Sequence, residues 1–158
     1  MRYYLVDKVM EVVAGERIRG VKNVTLTDEV LHDHFPDFPV MPGALILEAM
    51  AQLSGLLLEM TFREPGRRPR RALLVAVKDA KFHDTAGPGD QLAIEMRLVS
   101  RLEGAAQVSG VVTAGDRRIA RATLTFALRD IDSDRVHEQR RYVYALWTRG
   151  LDPPIDLP

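Results

Sequence analysis

The sequence contains no cysteine. That excludes disulfide bonds, thiol catalysis and thiolate metal sites, and it leaves the redox compartment open. It also lacks an excess of charge of either sign: 22 Lys and Arg balance 22 Asp and Glu. A neutral chain does not suit bulk nucleic-acid binding, which needs a basic face. Internal repeats and low-complexity tracts are absent. Long apolar runs are nearly so. The one candidate, residues 44–60, falls short of the roughly 20 apolar residues a bilayer requires, and it carries Glu48 and Gln52. No membrane span is expected. The N-terminus alternates polar and apolar residues and shows no secretory signal, so the cytoplasm is the expected location.

What is present fits one domain of 158 residues with a sizeable core. Residues 3–13 and 17–25 read as two strands joined at Ala14-Gly15. A proline-rich loop and a long helix follow. Residues 63–71 form a basic loop with Pro and Gly. Residues 72–82, 91–102, 105–114 and 117–128 read as four more strands. Their breaks are Ala86-Gly87-Pro88-Gly89-Asp90, Glu103-Gly104 and Gly115-Asp116. Ala120, Ala122, Leu124, Phe126 and Leu128 alternate with polar residues, the pattern of a half-buried strand. One helix among about six strands predicts an α+β fold for residues 1–129. Beyond Arg129 the composition changes, marking residues 130–158 as a C-terminal tail. Ser133 is placed to cap a helix reaching about Arg149, with Val136, Val143, Leu146 and Trp147 as its apolar face. Packing on the domain, covering a sheet edge, capping a substrate tunnel, decoration and disorder all stand as readings of this tail.

The helix predicted over residues 44–60 is unusual. Leu45, Ile46, Leu47, Met50, Leu53, Leu56, Leu57, Leu58 and Met60 surround its wheel instead of forming a stripe. A helix apolar all round is a buried one. Gly55 would let another backbone approach it. Glu48 is then out of place, since a buried carboxylate needs a partner or a proton. Gln52 lies at i+4, on the same face. Glu48 is either a site residue, half of a satisfied polar pair, or part of a helix face that meets solvent.

Immediately before the helix, His34 opens a loop in which Pro36, Pro39 and Pro42 recur every third residue. Each fixes its own φ and pushes its predecessor toward extended geometry. The loop is either a preorganised binding element or a stiff connector of polyproline type.

The run His34-Phe35-Pro36, then Pro39-Val40-Met41-Pro42-Gly43, then Leu47-Glu48-Ala49-Met50-Ala51-Gln52 resembles the active-site region of the β-hydroxyacyl-(acyl carrier protein) dehydratases of fatty-acid synthesis. Residues 5–9, 18–25, 80–82 and 88–92 extend the resemblance, which covers about residues 3–128. A related dehydratase/isomerase branch has Asp where Glu48 stands, so Glu48 points to the dehydratase-only branch. The resemblance implies a hot dog fold, with a curved antiparallel sheet of about six strands wrapped around one long central helix. It implies dehydration of (3R)-3-hydroxyacyl-[acyl-carrier-protein] to the trans-2-enoyl product, without a cofactor. His34 would be the general base and Glu48 the general acid. The Gly43 N–H would bind the thioester carbonyl, Val40 would orient His34, and Gln52 would hold Glu48. Each site would take His34 and Glu48 from different protomers of an obligate homodimer, which a trimer of dimers would extend.

Two positions depart from the family. Asp33 and Asp37 stand where glycines are usual, and two carboxylates beside His34 would favour its charged form. Arg63, Arg67, Arg68, Arg70 and Arg71 are candidates for docking the acidic carrier protein. The alternative is a merely solvated loop. His32-Asp33-His34 has the look of a metal-ligand pair, but only His83 and His137 remain to complete it, so no metal is expected. Two other functions stay in view: a hot dog acyl thioesterase, and a non-catalytic acyl-binding subunit. Chain length and pathway are not written in the sequence.

Overall fold

The computed structural model describes residues 3–158; Met1 and Arg2 lie outside the described residues. Six strands, β1 (Lys8–Val13), β2 (Arg17–Asn23), β3 (Arg71–Phe82), β4 (Gln91–Arg101), β5 (Ala105–Ala114) and β6 (Arg117–Arg129), form one sheet in the order β1-β2-β4-β5-β6-β3. Every neighbouring pair is antiparallel. Two helices complete the chain, α1 (Gly43–Thr61) and α2 (Asp134–Trp147), with a single 3-10 turn at Glu29–Leu31. This is the α+β hot dog arrangement that the sequence predicts.

The sheet wraps α1 because alternate residues of its inner strands are apolar on the face turned to the helix. Leu92, Ile94 and Met96 of β4 are buried, as are Ala120, Ala122, Leu124, Phe126 and Leu128 of β6. Against them lie Ile46, Met50, Leu53, Leu56, Leu57 and Leu58 of α1. Burial of each such side chain contributes about 1.5–3 kcal/mol. At Gly20 of β2 a Cβ would sit 2.9 Å from a Leu53 methyl, so the helix approaches the sheet there only because the side chain is missing. By length and composition α1 is apolar enough to cross a bilayer, but the sheet encloses it as a core helix.

The first strand begins at Lys8, five residues later than the sequence predicts. The Leu5 N–H and the Tyr3 carbonyl are bonded to the side chain of Gln52 and so are not in the ladder. Ser133 caps α2 by accepting from the Val136 N–H, and Val143, Tyr144 and Trp147 are its buried residues. Leu146, expected on that face, is largely exposed. The far edge, β3, pairs only with β6 and leaves Leu73, Leu74, Val75 and Val77 exposed.

Candidate active site

His34 is held by one residue at both ends of its peptide unit and ring. The Val40 N–H donates to the His34 carbonyl at 2.8 Å, and the Val40 carbonyl lies 2.7 Å from His34 Nδ1. A carbonyl only accepts, so Nδ1 carries a proton and Nε2 of the neutral ring is left with its lone pair. Phe35 and Phe38 exchange two backbone hydrogen bonds of 2.9 Å, closing the loop between, and the Phe35 ring stacks on the imidazole at 4.1 Å. The loop is braced from outside. Met41 N–H donates to the Ala86 carbonyl, and Gly87 packs beneath the Pro39 carbonyl. Asp37 takes a φ of 61°, the left-handed conformation that glycine adopts without strain. Neither Asp33 nor Asp37 makes a hydrogen bond or ion pair with His34 among the described residues, and both are exposed. The charge contact expected from their position in the sequence is thus not formed.

Glu48 is half-buried on α1, one turn before Gln52. Gln52 Nε2 donates to Glu48 Oε1 at 3.0 Å and to the Tyr3 carbonyl at 3.1 Å, while Gln52 Oε1 accepts from the Leu5 N–H at 3.0 Å. The backbone of residues 3–5 therefore fixes which way the amide points, and the amide aims a donor at the carboxyl. Glu48 opens onto two cavities of about 480 and 180 Å³. Gly43 begins α1, where the first N–H groups have no partner inside the helix. A Cβ on Gly43 would meet the Phe82 ring at 2.8 Å, so a larger residue here would have to displace that ring.

His34 lines neither of the two cavities that Glu48 borders; they are bounded instead by α1, α2, β3, β6 and residues 3–4. The smaller one runs beside Leu73 and Leu74 on the exposed edge strand.

The basic loop divides. Arg63 pairs with Asp156, Arg67 with Glu64 and Arg68 with Asp134, at 2.6–2.8 Å, all at the surface. Arg70 donates to the Glu103 carbonyl and lies over the Phe62 ring. Arg71 does not belong with them. It is 3% exposed, and its guanidinium is bound to Glu59 and to His137 Nδ1. It is closed off from any external partner and serves the interior instead.

That interior cluster is what the sequence reading missed. Glu59, 2% exposed, accepts from Arg71, from the Ala72 N–H at 3.2 Å and from the Tyr144 hydroxyl at 2.8 Å. The His137 Nε2–H donates to the Ile131 carbonyl, which leaves Nδ1 to accept from Arg71. Burial first, and then the charge of Glu59, push the Tyr144 phenol well above its usual value. The space beside Gly55, expected to admit a backbone, holds the Tyr144 hydroxyl at 3.7 Å. The available signal was Glu59 itself, a second carboxyl in an apolar helix. Among the described residues no group of three or more His, Asp or Glu is placed to hold a metal ion.

Comparison with known proteins bears on the family and the fold. Residues 1–123 match the model of the FabA-like domain. The chain is 40% identical over 128 residues to the 3-hydroxyacyl-[acyl-carrier-protein] dehydratase FabZ of Solibacter usitatus, covering 81% of this chain and 77% of the relative. It is 37% identical over 126 residues to the FabZ of Bacillus subtilis, covering 80% and 87%. Among solved structures, the dehydratase heterocomplex ApeI:P of Xenorhabdus doucetiae superposes with a TM-score of 0.67 at 18% identity, covering 87% of this chain and 90% of the other. A Streptococcus mutans protein bound to acetyl CoA gives 0.61 at 21% identity, covering 78% and 90%. These two likenesses concern the fold.

Proposed function

This chain belongs to the FabA-like family, and from that membership we propose that it dehydrates 3-hydroxyacyl chains carried on acyl carrier protein, with His34 as base and Glu48 as acid. His34 Nε2 takes the C2 proton. The developing enolate oxygen accepts from the Gly43 N–H, where the start of α1 favours negative charge. Glu48 then gives its proton to the C3 hydroxyl, which departs as water, and the trans-2-enoyl thioester remains. Val40 keeps the lone pair of His34 at Nε2, and Gln52 holds Glu48 in place. The observation that carries this reading is the 2.7 Å contact between His34 Nδ1 and the Val40 carbonyl, because it leaves a free basic nitrogen on a rigid loop.

The working unit is a homodimer in the cytoplasm. An exposed apolar edge strand is a template for pairing with another chain, and β3 offers twelve residues of it. Pairing along β3 would cover Leu73 and Leu74, beside the Glu48 cavity, and would bring a second chain to the half-site that lacks a histidine. Arg63, Arg67, Arg68 and Arg70 form the docking face for the acidic carrier, which displaces their own-chain acidic partners as it binds.

A substrate assay tests the reading. Addition of enzyme to a crotonyl thioester of the carrier protein should remove the enoyl absorbance by hydration, with no free thiol formed. Release of free thiol in step with the loss of absorbance would make the protein a thioesterase instead.

A further inference from the structure

The helix α2 lies beyond residues 1–123, outside the stretch that matches the FabA-like domain. It is firmly attached. Tyr144 and His137 reach into the buried Glu59 and Arg71 cluster, and Val143 and Trp147 are buried beside them. In that position α2 forms one wall of the larger Glu48 cavity and touches the smaller one.

One α2 residue lines both cavities: Arg140. It is the single cation in either lining among the described residues. It is half-buried, yet it makes no hydrogen bond and no ion pair there. The acids within the linings are already engaged. Glu48 takes the Gln52 amide, and Glu59 takes Arg71, Ala72 and Tyr144. Every other arginine of the neighbouring loop has an acidic or carbonyl partner in its own chain. A guanidinium withdrawn from water gains most from a planar or tetrahedral oxyanion that accepts two of its N–H groups. Arg140 is left without one, facing the space that borders the proposed acid.

We propose that Arg140 is a substrate-binding residue that pairs with an anionic group of the thioester. The proposal rests on the dehydratase reading for the identity of that thioester. Two parts of such a substrate carry the required chemistry: the phosphodiester of the pantetheine arm, and a carboxylate at the far end of an acyl chain. In either case α2 adds a charge-selective contact to a site whose reacting groups all lie before residue 124.

Equilibrium binding separates these sources without relying on turnover. Three non-hydrolysable amide analogues serve as probes: butyryl-phosphopantetheine, butyryl-pantetheine, and a pantetheine carrying a terminal carboxylate on its acyl chain. Calorimetry is run on the full chain and on Arg140→Gln and Arg140→Lys. Wild type should bind one of the anionic probes about 10-fold or more tightly than neutral butyryl-pantetheine, the size expected of hydrogen bonds to a charged group. Arg140→Gln should erase that preference while leaving the neutral probe unchanged, and Arg140→Lys should keep part of it. Preference for the phosphorylated probe identifies the arm, and preference for the carboxylated probe identifies the acyl terminus. Equal binding of all three probes by wild type overturns the proposal, whatever the variants do. A preference that survives in Arg140→Gln overturns it too. Failure of the crotonyl assay with a preserved Arg140-dependent preference would reject the dehydratase reading alone.

Discussion

The Tyr144 hydroxyl donates to Glu59 Oε2 across 2.8 Å and so ties the C-terminal helix to the middle of the central one. Tyr144→Phe removes a donor from a buried, charged acceptor while keeping the ring's packing. A loss of about 1–3 kcal/mol is expected, toward the low end because Arg71 and Ala72 still serve Glu59. Thermal melting should report it as a fall of about 2–4 °C per kcal/mol for a chain of this size. A pH effect accompanies it. Burial and then the Glu59 charge raise the folded pKa of Tyr144 above 10.0, so the folded state holds its proton longer than the unfolded state. Stability is complete below pH 10 and declines as pH rises beyond it. Tyr144→Phe should flatten that alkaline decline.

The same pair shows where the sequence stopped being readable. The all-round apolar pattern of residues 44–60 announced an enclosed helix, because periodicity is a local property. The His34 loop and the Glu48–Gln52 pair were legible for the same reason: their partners lie within six residues. Tyr144 and Glu59 are 85 positions apart, and Arg71 and His137 are 66 apart. Nothing local distinguishes Arg71 from Arg70, although one is interior and the other rests on a surface ring. Residues 72–82 read as a strand, but nothing in them showed that it would lie at an edge with exposed apolar groups.

Asp37 occupies a left-handed position, and the carboxylate it adds does not touch His34. Asp37→Gly should therefore relieve backbone strain without altering the imidazole. A gain of about 0.5–1 kcal/mol is expected, offset in part by the greater freedom of glycine when unfolded. Denaturant melts should show the midpoint rising or holding, and the pH–rate profile should stay where it is. A profile shifted to lower pH would mean that the carboxylate acts on His34 after all.

The turn that braces the His34 loop should make the protein acid-sensitive. The Gly87 N–H, and after it Arg117, hold the Asp90 carboxyl below its ordinary 3.8. Arg117 also bonds Asp84 at 3.0 Å and depresses it likewise. A depressed carboxyl contributes stability above its unfolded value and loses it as pH falls through the folded one, here below about pH 3.8. Asp90→Asn should weaken the turn already at neutral pH and make stability fall less steeply in acid. Circular dichroism across pH 2–7 would check both.

The edge strand gives a prediction about assembly. Val75 is 60% exposed near the middle of β3, where a charge obstructs pairing with another chain. Val75→Lys should yield a folded monomer by sedimentation, with an unchanged far-UV spectrum. Dehydratase activity should fall with the dimer fraction, because the proposed site takes His34 and Glu48 from different chains. A fully active monomer would place a complete site within one chain.

The strongest test of the mechanism uses the same division. His34→Ala removes the basic nitrogen that Val40 orients, and Glu48→Gln removes the carboxyl group to which the Gln52 amide donates. Positioned acid and base groups typically contribute about 10²–10⁴-fold each, so each variant should lose that much kcat with little change in affinity for a saturated acyl thioester. Neither change touches the buried core, so both proteins should melt near wild type. When the two inactive variants are mixed and allowed to exchange subunits, a heterodimer carries one wild-type His34 facing one wild-type Glu48 from the other chain. Random exchange of equal amounts makes half of the dimers hetero, each with one intact site of two, so activity should return to about a quarter of the wild-type level. Full activity in either single variant would reject the assigned roles. Inactive singles that stay inactive after proven exchange would show instead that both groups serve from the same chain.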